Sequence, residues 1–411
     1  MTDVSPAAAR PAPLPRGLLA VTIFLVALNL RAALAALPPL VRTIQDDLGL
    51  SGATAGLLTT LPVLCMGLFA PVSQVLARRV GREATVGWAL VLLLLGQATR
   101  LVADALPVLL LSTVAVGVGI ALAGTVLPGI VKEFFAERSG TMTGVYLLAM
   151  MVGAATSSAL AVPVADALGS WQESLSVWGL LAVVGLAAWL PVVRRVNDRG
   201  SVDPGDERTP LPYRSPTTWL LAGYLALQSL SFYSQIAWIP PTYESHGWTA
   251  RDAGLLLALW SIAQLVTGVT GPALADRVRD RRPLIAVAVG CNMVGLAGIA
   301  FAPEAAPVVW ILLLAFGQGG GFALALVKLV DYAPTPAASA RLSALVFLVS
   351  YSTAALGPFL FGAVHDATDG FTVPFGCLLL VATVQLTLVP RLRPGRLTEP
   401  HRQTAEAGSS P

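Results

Sequence analysis

Twelve times between Gly17 and Pro390 the sequence enters an apolar run close to the ~20 residues that a helix needs to cross a bilayer. The runs lie near 17–40, 53–76, 84–102, 107–131, 141–163, 175–193, 216–238, 252–275, 283–302, 307–330, 341–362 and 372–390. In hydrocarbon every backbone polar group needs an internal partner, so runs of this length predict helices. Only 12% of the chain is charged and 55% is hydrophobic, whereas soluble domains carry about 25% charge. The first run is too long for a signal-peptide core and resembles those that follow, so it reads as a retained helix. The chain is predicted to be an all-α membrane protein with the lipid bilayer as its surroundings.

The only long polar interruption is the 194–215 segment, which divides the runs into six and six. This predicts an arm over 1–16, a six-helix bundle over 17–193, a linker over 194–215, a second bundle over 216–390 and a tail over 391–411. Basic residues fall on alternate sides very unequally. Arg78, Arg79, Arg82, Arg194, Arg195, Arg277, Arg279, Arg281, Arg282, Arg391 and Arg393 share one side, against Arg42, Arg100 and Arg251 on the other. Basic loops stay inside, so both termini and the linker are predicted to be cytoplasmic, with the protein in the plasma membrane. The net charge of +3 is spread among loops, which gives no basis for nucleic-acid binding.

The halves repeat. Leu76-Ala77-Arg78-Arg79-Val80 after the second run matches Leu274-Ala275-Asp276-Arg277-Val278 after the eighth, and Gly119-Ile120-Ala121-Leu122 resembles Gly321-Phe322-Ala323-Leu324. Duplicated bundles with a site near the midplane between them are an arrangement of secondary transporters.

Arg31 lies inside the first run, and a guanidinium there must find something electron-rich because it cannot lose its proton. No Asp or Glu falls in the middle of a run. Its partners are therefore helix carbonyls, amide or hydroxyl groups, or a bound anion. Asn29, two residues earlier, points to another sector of the helix and is equally suited to a helix–helix hydrogen bond. Lys328 is near a run's end, three residues before Asp331, which favours snorkelling or local pairing. Pro62, Pro128 and Pro358 are expected to kink their helices. Gly117, Gly119 and Gly124, and the Gly317–Gly321 stretch, suit close helix packing or a hinge. They do not form a nucleotide loop, because no strand precedes them. Cys65, Cys291 and Cys377 sit in apolar runs without metal-ligand spacing, so no metal site or cofactor is expected. His246, His365 and His401 lie outside the runs, and no proton relay can be built at the midplane. Scattered acids and histidines likewise offer no catalytic cluster, so an enzyme is not expected.

With the basic turns after runs two and eight and the long central segment, the chain resembles the major facilitator superfamily. Gly271-Pro272-Ala273-Leu274-Ala275-Asp276-Arg277-Val278-Arg279-Asp280-Arg281-Arg282 keeps much of that superfamily's loop signature, while the first half has Arg78 where an acid belongs. Within the superfamily it is similar to the cyanate and 2-nitroimidazole transporter branch, through Asn29-Leu30-Arg31, Leu127-Pro128-Gly129, Gly169-Ser170-Trp171, Ala237-Trp238-Ile239-Pro240-Pro241 and Leu356-Gly357-Pro358. Gly124 stands where the branch often has Asn. The resemblance implies two pseudo-symmetric six-helix halves, a monomer, and alternating access for a small anionic or nitro-bearing solute, with efflux of a neutral antimicrobial as the alternative. It implies a cavity among spans 1, 2, 4, 5, 7, 8, 10 and 11. The candidate contacts there are Arg31, Asn29, Thr60, Tyr146, Trp238, Gln264, Gln318 and Tyr351, with Arg78, Arg79, Asp276, Arg277 and Arg281 in the gating loops. Drug–proton antiporters of the superfamily carry an Arg in span four and a Gly-Pro motif in span five, and this chain has neither.

Overall fold

A computed structural model of the chain describes residues 16–135, 139–196, 213, 215–275, 277–278, 280–332 and 336–393. Among them there are helices and turns and no strand. The first half contains α1 (Arg16–Ala35), α2 (Val41–Leu48), α3 (Gly52–Leu68), α4 (Ala70–Val80), α5 (Arg82–Thr99), α6 (Leu106–Phe134), α7 (Ser139–Leu168), α8 (Trp171–Val177) and α9 (Gly179–Val196). The second contains α10 (Pro216–Ser245), α11 (Ala250–Ala275), α12 (Arg282–Phe301), α13 (Pro307–Tyr332), α14 (Pro336–Ala354), α15 (Leu356–Thr368) and α16 (Thr372–Leu388).

Among the described residues nine helical stretches are long and apolar enough to cross a membrane, or ten if the bent pair α3 and α4 is one span. The helices α10 and α11 have 30 and 26 residues but are not among these. In α10 the reason is visible in Gln228, Ser229, Ser231, Ser234 and Gln235, all buried against protein rather than facing lipid. Pro62 and Pro128 lie inside continuous helices, while the second span bends by 52° at Phe69, just before Pro71, and the eleventh has a one-residue turn at Ala355, within a turn of Pro358, where the proline ring crowds the preceding carbonyls.

The two halves pack alike. The helix pairs α1 with α7, α5 with α6, and α5 with α9 in the first half correspond to α10 with α14, α12 with α13, and α12 with α16 in the second. Glycine sets the approach at equivalent places. A Cβ on Gly119 would lie 2.8 Å from the Ala89 carbonyl oxygen, and one on Gly317 would lie 2.7 Å from that of Ala288. The repeat therefore pairs Gly119 with Gly317. The sequence match to Gly321 is out of register, because Gly321 faces Gln228 of α10.

The halves meet through α3 with α14 and α15, and through α7 with α11. The closest of these contacts involve residues 52–56 with 358–366 and Gly254 with Ser158, at the face remote from the chain ends, here called the far face. The other face is the terminal face. A Cβ on Gly124, Gly144 or Gly268 would meet nothing within 4 Å. At that face the root of the tail is stapled to the second half: Arg282 Nη1 donates to the Pro390 carbonyl at 3.1 Å and the Tyr332 hydroxyl to that of Arg393 at 2.6 Å.

Candidate functional site

Arg31 is half-buried in α1, and its Cζ lies 5.1 Å from the centre of the Phe232 ring of α10. A cation over an aromatic face is attracted by the ring quadrupole, here across the junction of the halves. The buried Nε of Arg31 has no hydrogen-bond partner, and among the described residues no carboxylate pairs with Arg31. Its charge acts on the hydroxyls of Tyr146 (α7), Tyr233 (α10) and Tyr351 (α14). The rings pack on one another. Phe232 stands edge-on to Tyr233 at 5.0 Å and beside Trp260 of α11 at 5.1 Å, and Tyr351 lies 6.4 Å from Tyr233 and stacks on Phe347 at 5.9 Å. The Tyr233 hydroxyl reaches Met66 Sδ of α3 at 3.7 Å. Trp260 Nε1 and Thr60 Oγ1 are buried N–H and hydroxyl groups without partners.

The cluster thus draws on both halves and offers a guanidinium, phenols and π faces. Such a set can hold an anion or the oxygens of a planar polar solute through the guanidinium and the phenol hydroxyls, and among the described residues it presents no carboxylate to a cation.

Of the residues singled out in the sequence, Arg31, Tyr146 and Tyr351 come together here. Asn29 does not join them. Its Nδ2 donates to Leu25 and, at 2.9 Å, to the carbonyl of Leu181 in α9, on the opposite side of α1. Gln318 of α13 also turns away. It bonds Gln228, Ser231 and Asn292, in a buried network that continues to Gln235 and Gln385 and ties α10, α12, α13 and α16 together. Gln264 is buried next to the backbone of Gly319 and donates to the carbonyl of Trp260 at 3.4 Å. Trp238 belongs to a plug at the far face: its Nε1 donates to the Pro358 carbonyl at 3.0 Å, and its ring stacks on Phe361.

In the loops Arg78, Arg79 and Arg277 are exposed, Arg281 Nε reaches the Ala275 carbonyl at 3.5 Å, and Asp276 lies outside the described residues. Among the described residues the loops also hold ion pairs of Arg82 with Glu133 at 3.2 Å and of Arg282 with Asp280 at 2.7 Å. Side-chain and backbone hydrogen bonds from Arg282 hold the Asp280 carboxyl down at about 2. Arg100, at the outer end of its run, is 1% exposed at the end of α5, and Lys328 is buried, with Nζ 5.6 Å from the Tyr332 ring centre. Phe232, Tyr233 and Trp260 had no signal in the sequence beyond being aromatics near the middle of spans seven and eight.

Two like-packed helical halves meeting at a polar cluster have the architecture of a membrane transport protein. The pattern of the Major Facilitator Superfamily matches residues 19–358 and again 221–409, and the chain belongs to that superfamily. It is 35% identical to the 2-nitroimidazole transporter of Escherichia coli K12 over 89% of this chain and 92% of that one. It is 30% identical to the cyanate transport protein of the same organism over 89% of this chain and 95% of that one. Among solved structures, a bacterial homologue of the human lysosomal transporter Spinster, crystallised inward-facing and unoccupied, superposes with a TM-score of 0.74 at 16% identity, covering 93% of this chain and 98% of that one. That likeness concerns the fold.

Proposed function

We propose that the protein carries a small anionic or polar solute, cyanate-like or nitro-compound-like, across the plasma membrane by alternating access, with both termini in the cytoplasm. The observation that carries the reading is Arg31, an unneutralised guanidinium held by aromatic rings where the halves meet. In a site of low dielectric such a charge attracts an anion far more strongly than it would in water. With the arginine-rich face inward, the tight contacts between the halves at the far face correspond to a closed outer side. The two curated relatives support the solute class, since their names specify a nitro compound and a small anion.

Uptake or efflux in proteoliposomes tests this. Arg31→Ala is expected to abolish transport of the anionic substrate and Arg31→Lys to retain part of it. Full transport in the alanine variant would remove Arg31 from the mechanism.

A second reading, export of a neutral nitro-aromatic antimicrobial, is favoured by the rings of Phe232, Tyr233, Trp260 and Tyr351, which suit a planar ring as well as a small anion. Here overexpression raises tolerance of a nitroimidazole panel and deletion lowers it, and no change in either strain counts against this reading.

A further inference from the structure

The first turn of α3 is completed by the other half of the protein. A helix begins with N–H groups that have no intrahelical partner. In α3 the cap residue Ser51 satisfies one of them, its hydroxyl accepting from Thr54 N at 3.2 Å. The two before it, Gly52 N and Ala53 N, each donate at 2.8 Å to one oxygen of the Asp366 carboxylate, which projects from the last turn of α15. A negative charge also suits this end of the helix dipole.

The backbones beneath this bond are in near contact. A Cβ on Gly362 would run into the Gly52 carbonyl, and one on Gly56 into that of Pro358. On its other side α15 is held to its own half by the bond from Trp238 to Pro358 and by the stack of Trp238 on Phe361. The segment that carries Asp366 is therefore fixed to the second half and bonded to the first. The interruption at Ala355 separates it from α14, which carries Tyr351.

We propose that Asp366 is the latch of the far-side gate: its carboxylate caps α3 only while the halves are closed at that face, and each transport cycle releases and remakes the cap. When the far face opens, Gly52 N, Ala53 N and the carboxylate all pass to water, so the bonds favour the closed form alone. Ser51 travels with α3 and favours neither form. The proposal requires alternating access but no particular substrate, so it stands or falls apart from the reading of Arg31.

The test is a distance measurement between spin labels on Thr43 of α2 and Ala367 of α15, both exposed, with the three native cysteines replaced by alanine. Asp366→Ala is expected to raise the far-side-open population on the order of tenfold, and Asp366→Asn, which keeps an acceptor but loses the charge, by less. Ser51→Ala, which weakens α3 equally in both forms, is the control and is expected to leave the distribution unmoved. An unchanged distribution in Asp366→Ala, or an equal shift in Ser51→Ala, would overturn the proposal. Asp366 is exposed, so the asparagine variant retains the fold and reports the same shift if the alanine variant expresses poorly.

Discussion

Arg31 and Phe232 stand on opposite halves of the molecule, and the guanidinium carbon of one lies 5.1 Å from the ring centre of the other. Among the described residues no carboxylate neutralises this cation, and the ring it lies over belongs to the second half. A ligand entering here replaces or adds to a contact that already bridges the parts that must move.

Phe232→Leu keeps bulk and removes the π face. It is expected to raise the KM for the transported solute about two- to fivefold, as a cation–π contact is worth about 0.5–1 kcal/mol at partly exposed sites. Protein stability is expected to change little. Transport kinetics in vesicles with thermal melting in detergent separate the two effects.

Gln318→Leu is expected to do the opposite. Its amide bonds Gln228, Ser231 and Asn292, all buried, and leaving these groups unpaired costs about 1–3 kcal/mol. The variant should melt at lower temperature and retain substrate affinity once folded. A selective loss of affinity would instead place Gln318 in the solute's path.

Asn29→Ala removes the bond to Leu181 that joins α1 to α9. Bonds of this kind between membrane helices are worth about 0.6–1.7 kcal/mol. A fall of that size in unfolding free energy, with the KM unchanged, is the expected result.

Two glycines make a paired experiment. A Cβ on Gly317 would lie 2.6 Å from the backbone nitrogen of Asn292, whereas one on Gly124 would meet nothing within 4 Å. Gly317→Ala is expected to cost about 1–3 kcal/mol by forcing α12 and α13 apart. Gly124→Ala should be tolerated, and its effect, if any, should appear in transport and not in melting.

The helices were legible because twenty uncharged residues admit few alternatives in a bilayer, and Arg31 was legible because a lone cation in such a run stands out. What packs around that cation was not. Phe232 and Trp260 are ordinary residues of apolar helices, and only the rotation of α10 and α11 brings them together. Rotation also decided Gln318 and Asn29: both are polar at mid-span, and both face neighbouring helices of their own half. Arg100 shows the same limit at a helix end, where the run's boundary says nothing of the packing that encloses the guanidinium. The glycine register is not legible in the sequence for a simpler reason. Gly-Ala-Leu strings recur by chance, while the contact of Gly119 with Ala89 and of Gly317 with Ala288 fixes which positions correspond.

Because Arg282 and Tyr332 hold the carbonyls of Pro390 and Arg393, the chain is tethered to the second bundle as far as residue 393. A fluorescent protein fused there, with an acceptor dye on α4 of the first bundle, would follow the separation of the two bodies during turnover without a label anywhere near the permeation route.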